Sequence, residues 1–86
     1  MSLNLHPIMD ALRVLSRDNE RRKIDRVRAA EQAIKSWIAG QPPVEQRRRL
    51  QTLDHQITSQ ETTEFWTVIS AYVAQQLNIL RGPDGH

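Results

Sequence analysis

FWTVISAYVAQQLNIL, residues Phe65–Leu80, decides the fold. Wound as an α-helix, this stretch puts Phe65, Trp66, Ile69, Val73, Leu77 and Leu80 on one stripe. Val68, Tyr72 and Ile79 form a second stripe beside the first, so apolar side chains cover roughly half the circumference. An ordinary surface helix buries a band of about 100°. A helix this broad lies at the centre of a bundle or is shared with another chain. Phe65–Val73 is also rich in strand formers. No second strand-like run exists to pair with it, however, and Ala74-Gln75-Gln76-Leu77 extends the helical period without interruption. The reading is helix.

Working outward, the strongest punctuation is Gly40-Gln41-Pro42-Pro43. Gly40 suits the left-handed position that follows a helix. The two prolines cannot continue that helix but suit the first turn of the next one. The sequence therefore predicts an antiparallel helical hairpin turning at Gly40–Pro43. Between this turn and Phe65, Leu50, Leu53 and Ile57 form a narrow stripe, as expected of a peripheral helix. That stripe and the Phe65–Leu80 stripe differ by a rotation of well over 100° at 100° per residue, so one straight helix cannot carry both. Thr58-Ser59-Gln60-Glu61 reads as a capping box, with Thr58 as N-cap and Glu61 reaching back. The expected helices are residues 43–57 and 59–80.

Before the hairpin turn, Pro7 can open a helix, and Ile8, Leu12 and Leu15 follow at helical spacing. The polar run from Ser16 to Lys23 interrupts the pattern, which resumes as Ile24, Val27, Ala30, Ile34, Trp37 and Ile38. The two stripes are offset by very roughly 80° at 100° per residue: either the helix breaks near Asp18, with Asp18 capping the second piece, or one continuous helix meets different neighbours along its length, and the break is the favoured reading. The fold class is all-α: a small bundle of three or four helices in a single domain, residues 1–86, completed by dimerisation. Residues 1–4 and 81–86 are expected to be flexible, and neither Met1-Ser2-Leu3 nor Gly85-His86 carries a functional reading.

Eighty-six residues give a single core only a few kcal/mol of net stability. Without cysteine there is no disulfide or thiolate metal site to add support. No apolar run approaches a membrane span and no signal-peptide pattern opens the chain, so the expected setting is cytoplasmic, away from membranes. The formal charge of +2 conceals an asymmetry: residues 1–49 hold eleven Lys or Arg against six acids, residues 50–86 one against four. Halves of opposite sign can set pairing orientation, or each can simply face water.

The basic residues are the first candidates for chemistry. Arg17, Arg21, Arg28 and Lys35 fall near one line of a helix, which suits a phosphate backbone. Asp18, Asp25 and Glu31 sit where they neutralise much of that line, as in a salt-laced solvated face. Arg47-Arg48-Arg49 opens its helix, where cations oppose the macrodipole. Only Arg49 has an evident partner on that helix, Glu45 four residues earlier. Arg21, Arg28, Arg47 and Arg48 are accordingly the candidates for contact with an external acid or phosphate. A DNA-reading helix-turn-helix over 51–70 fits poorly, because its recognition helix would begin with Glu61 and Glu64 and then turn apolar.

Enzymatic signals are close to absent. His6, His55 and His86 are scattered, no Gly-rich phosphate loop occurs, and no Ser stands in a nucleophile-elbow context. No catalytic, cofactor or metal residue is assigned, and no small-molecule substrate is expected. Trp37 and Trp66 fall where both would lie towards the same end of the bundle, either as shared aromatic core or as interface anchors. The expected function is a non-catalytic protein–protein interaction module, a small regulator or adaptor acting as a homodimer. Its seam would be anchored by Trp66, Ile69, Tyr72, Val73, Leu77 and Leu80, with Trp37 from the first arm. The alternative is an Arg-dependent nucleic-acid-binding dimer.

Overall fold

The computed structural model describes residues 4–60 and 63–81. Four helices and no strand occur among them: α1 (His6–Arg17), α2 (Lys23–Ile38), α3 (Pro43–Ile57) and α4 (Glu64–Arg81). α3 packs along α4 and α1 along α2, while α2 also bears on α4 and more lightly on α3.

The turn between α2 and α3 follows from its residues. Gly40 adopts φ +80° in open space, where an L side chain would be strained by its own backbone. The Gln41 N–H donates to the Ile38 carbonyl at 3.2 Å, closing α2. Pro42 then stands in extended backbone as N-cap, and Pro43 supplies the first helical residue. Between α1 and α2, the break expected near Asp18 is present, but Asp18 works differently. It follows α1, its Oδ1 accepts the Glu20 N–H at 3.2 Å, and its Oδ2 pairs with Arg21 Nε at 2.8 Å. Asp18 thus holds the turn, and the N-cap of α2 is Arg22, which makes no side-chain cap bond.

The break between α3 and α4 is also present, with a different device again. Thr58 is the C-terminal cap of α3 in right-handed helical backbone, and its hydroxyl donates to the His55 carbonyl at 2.7 Å. Ser59 does the same to Gln56 at 2.7 Å. These hydroxyls satisfy the last carbonyls of α3 instead of the first amides of α4. Glu61, the other half of the expected capping box, lies outside the described residues. α4 starts at Glu64, later than expected, and runs through Arg81. The expected flexible ends are mostly outside the described residues too; Asn4 accepts the His6 N–H through Oδ1 at 3.0 Å at the start of α1.

One core runs through all four helices. Ile8, Met9 and Leu12 enter from α1, and Ala30, Ile34 and Ile38 from α2. Leu50, Leu53 and Ile57 come from α3, and Phe65, Trp66, Ile69, Tyr72 and Val73 from α4. Four of the residues expected at a dimer seam lie in this core. Trp66, Ile69, Tyr72 and Val73 are covered by the chain's own helices, with Ile69 and Val73 fully buried. The physical reason is the break at residues 18–22. It lets α1 fold back along α2 while α2 bears on α4, and α3 supplies the larger share of the cover of α4. Leu77 and Leu80 are only partly buried, and Ile79 is 60 % exposed. Ile24, which opens the resumed apolar stripe, is exposed.

Candidate functional site

A cavity lies where the end of α1, the start of α2 and the start of α4 meet. It has a volume of about 470 Å³, and its lining includes four cations, Arg13, Arg17, Lys23 and Arg26. Among the described residues, Glu64 is the one carboxylate in that lining. Gln60, Ser16 and Thr63 add polar groups, and Phe65 and Trp66 supply an aromatic wall. The two rings meet edge to face, with centroids 5.3 Å apart and planes at 86°.

The helices force these cations together. Arg13 and Arg17 are four residues apart on α1 and so share a face at its C-terminal end. Lys23 and Arg26 are three apart in the opening turns of α2. The short connection 18–22 turns the chain so that the two pairs line the same cavity. The positive ends of α2 and α4 border it as well, so Lys23 and Arg26 oppose the macrodipole of their own helix.

Among the described residues, little neutralises this charge. Arg13 pairs loosely with Asp10 at 3.6 Å. Lys23 is ion-paired with Glu64 across the cavity mouth, bridging α2 to α4, with both side chains largely exposed. Arg17 has no ion pair among the described residues. Arg26 donates one long hydrogen bond, Nη1 to the Ser16 carbonyl at 3.4 Å, while its Nε is buried with no acceptor. A guanidinium offers five donors, and a buried charged N–H without an acceptor is costly.

The residues singled out from the sequence fall elsewhere. Arg21 belongs to the α1–α2 turn and is neutralised by Asp18. Arg28 is exposed on α2. Arg48 donates to both carboxylate oxygens of Glu45 at 3.1 Å, which corrects the expectation that Arg49 alone has a partner on α3. Those bonds, Arg48's first, hold the Glu45 carboxyl below its ordinary pKa, and contacts with Arg49 add to the effect. Arg47 joins Gln51, Ala74, Leu77 and Asn78 around a smaller groove of about 230 Å³ between α3 and α4. Arg47 and Leu77 are therefore brought together; Arg21, Arg28 and Arg48 line neither cavity.

The tryptophans do not share an end of the bundle. Trp66 lines the cationic cavity with Lys23 and Arg26, whereas Trp37 lies fourteen residues further along α2, about 21 Å at 1.5 Å per residue. Trp37 is half-buried beneath Arg49.

Sequence reasoning missed Arg13 and Arg26, and it grouped Arg17 with the wrong partners by treating 17–35 as one helical line. The available signal was the helix break itself. Once α1 ends at Arg17, the basic end of α1 and the basic start of α2 must sit side by side.

The described residues hold no group of three His, Cys, Asp or Glu side chains able to bind a metal ion. No helix among them is long and apolar enough to cross a membrane. The chain matches no protein-family model, and neither the curated proteins nor the solved structures contain a match to it.

Proposed function

We propose that the chain is a non-catalytic protein-interaction module that docks an acidic segment of a partner protein in the Arg13–Arg17–Lys23–Arg26 cavity. The observation that supports this reading is the charge balance there: among the described residues, four cations line one cavity against a single carboxylate. A protein acid is favoured over a nucleic-acid backbone because the cations converge on one cavity. Nucleic acid needs a track of cations along successive phosphates. Elsewhere Asp18 and Glu45 neutralise Arg21, Arg48 and Arg49. The setting consistent with a cysteine-free chain is the cytoplasm.

Self-association belongs to the same reading, moved from the middle of α4 to its last turns. Ile79 projects 60 % exposed, directly after Asn78, which lines the groove shared with Arg47 and Leu77. In a two-fold pair each Ile79 can enter the groove of the other copy, as an isologous contact requires. Light scattering at micromolar concentration tests this part. A dimer that Ile79→Lys converts to a monomer supports it, and a monomer at the outset removes it while leaving the cavity reading intact.

The docking reading is tested by mapping amide chemical-shift changes on the full chain with a Glu-rich peptide, at low and at physiological salt. Shifts clustered on residues 13–17, 23–26 and 63–66, weakening as salt rises, support it. Shifts clustered on α3, or none at low salt, contradict it.

A further inference from the structure

We infer that the anion this cavity takes is a phosphomonoester group carried by the partner segment, with Arg26 as its anchor and Glu64 as the internal acid that it displaces. The inference deepens the docking reading and rests on it. Three observations converge on a dianion. Arg26 lines the cavity and its buried Nε lacks an acceptor, so the protein leaves the hydrogen-bonding capacity of this guanidinium incompletely used at the site. Among the described residues Glu64 is the only lining carboxylate, and it is engaged by Lys23, leaving Arg13, Arg17 and Arg26 without a described carboxylate in the lining to balance them. The site borders the positive ends of two helices, α2 and α4, and the negative end of one, α1, so the helix dipoles together leave it on the positive side.

A carboxylate brings one charge and two acceptor oxygens. A phosphomonoester brings nearly two charges and three strong acceptor oxygens. That count matches a guanidinium with spare donors, two further arginines and a lysine that an incoming anion can take from Glu64. The Lys23–Glu64 pair is exposed and therefore weak, so it yields to a better acceptor at small cost. In the empty state it tethers α2 to α4; in the bound state Lys23 turns to the phosphoryl oxygens and Glu64 is released to solvent.

The test is calorimetric titration of the full chain with three peptides of one acidic sequence, carrying phosphoserine, serine or glutamate at one central position, with inorganic phosphate as competitor. The phosphoserine peptide is expected to bind about tenfold or more tighter than the glutamate peptide, the equivalent of about 1.4 kcal/mol. Inorganic phosphate should displace it. Glu64→Gln should tighten phosphopeptide binding severalfold by removing the competing acid, and Arg26→Gln should abolish the preference for phosphoserine. If Arg26→Gln does not fold, Arg17→Gln on the exposed rim must reduce that preference instead. Equal binding of the phosphoserine and glutamate peptides overturns this inference and leaves the docking of acids standing. Binding of none of the three overturns both. Preference for a mixed RNA oligonucleotide over all three peptides replaces the ligand class.

Discussion

The guanidinium of Arg49 lies over the ring of Trp37, 5.5 Å from its centroid, and its Nη1 donates a 2.7 Å hydrogen bond to the Trp37 carbonyl. A third contact, Nε to Glu45 at 3.3 Å, fixes the same side chain from its own helix. One residue therefore ties the end of α2 to the start of α3 across the Gly40–Pro43 turn. Arg49→Ala removes a cation–π contact and a charged hydrogen bond to a last-turn carbonyl, and should lower stability by about 1–3 kcal/mol. Arg49→Lys should recover only part of this, because lysine lacks the planar face. Urea denaturation read by circular dichroism measures both, and unchanged stability in Arg49→Ala would refute the tie.

Ile69 separates the observed core from the expected seam. It is fully buried among the chain's own helices. Ile69→Ala should cost about 2–5 kcal/mol, as for other large-to-small core changes. That loss should be independent of protein concentration. A loss that grows on dilution would return Ile69 to a subunit interface.

The α4 helix shows how far sequence reasoning reached. Its breadth of apolar surface, its separation from α3 and the hairpin at Gly40 were all legible, because periodicity and backbone-restricted residues act locally. Two things were not. Coverage of Trp66–Val73 by the chain's own helices depends on how α1 and α2 splay after Arg17, a tertiary consequence of a five-residue connection. Thr58 was legible as a boundary but not as the end of one helix in place of the start of the next, since its hydroxyl can serve either. The site was lost for the same reason: Arg13 and Arg26 belong to different stripes until the chain folds back.

Tyr72 carries a buried hydroxyl with no hydrogen-bond partner. Replacing it with Phe should leave stability unchanged or raise it by about 1 kcal/mol, since no bond is lost and a desolvated group is removed. Burial first, then the nearby Glu31 carboxylate, raises the tyrosine pKa above its ordinary value of 10.0. A raised folded-state pKa contributes stability that is present below the unfolded value and lost as pH rises through the folded one. The parent should therefore lose stability above pH 10.0 more steeply than Tyr72→Phe. Parallel thermal melts across that range decide it, and identical alkaline limbs would contradict the assignment.

Glu45 makes the opposite prediction at acid pH. Its pKa is lowered in the folded state, chiefly by Arg48. The stability it contributes is present above the unfolded glutamate value and is lost as pH falls through the folded one. Glu45→Gln should flatten the acid limb below 4.5 without altering the slope near neutrality. Melting temperatures at stepped pH values test this, and an acid limb unchanged in Glu45→Gln would refute it.

The proposed docking places acids between α1, α2 and α4. Its most direct test compares two double variants that remove the same charge: Arg13→Gln/Arg17→Gln inside the cavity and Arg21→Gln/Arg28→Gln outside it. Affinity for a Glu-rich peptide at low salt is the readout. The account predicts loss of about tenfold or more in the first variant and little change in the second. Equal losses in both, or a loss confined to the second, would contradict it.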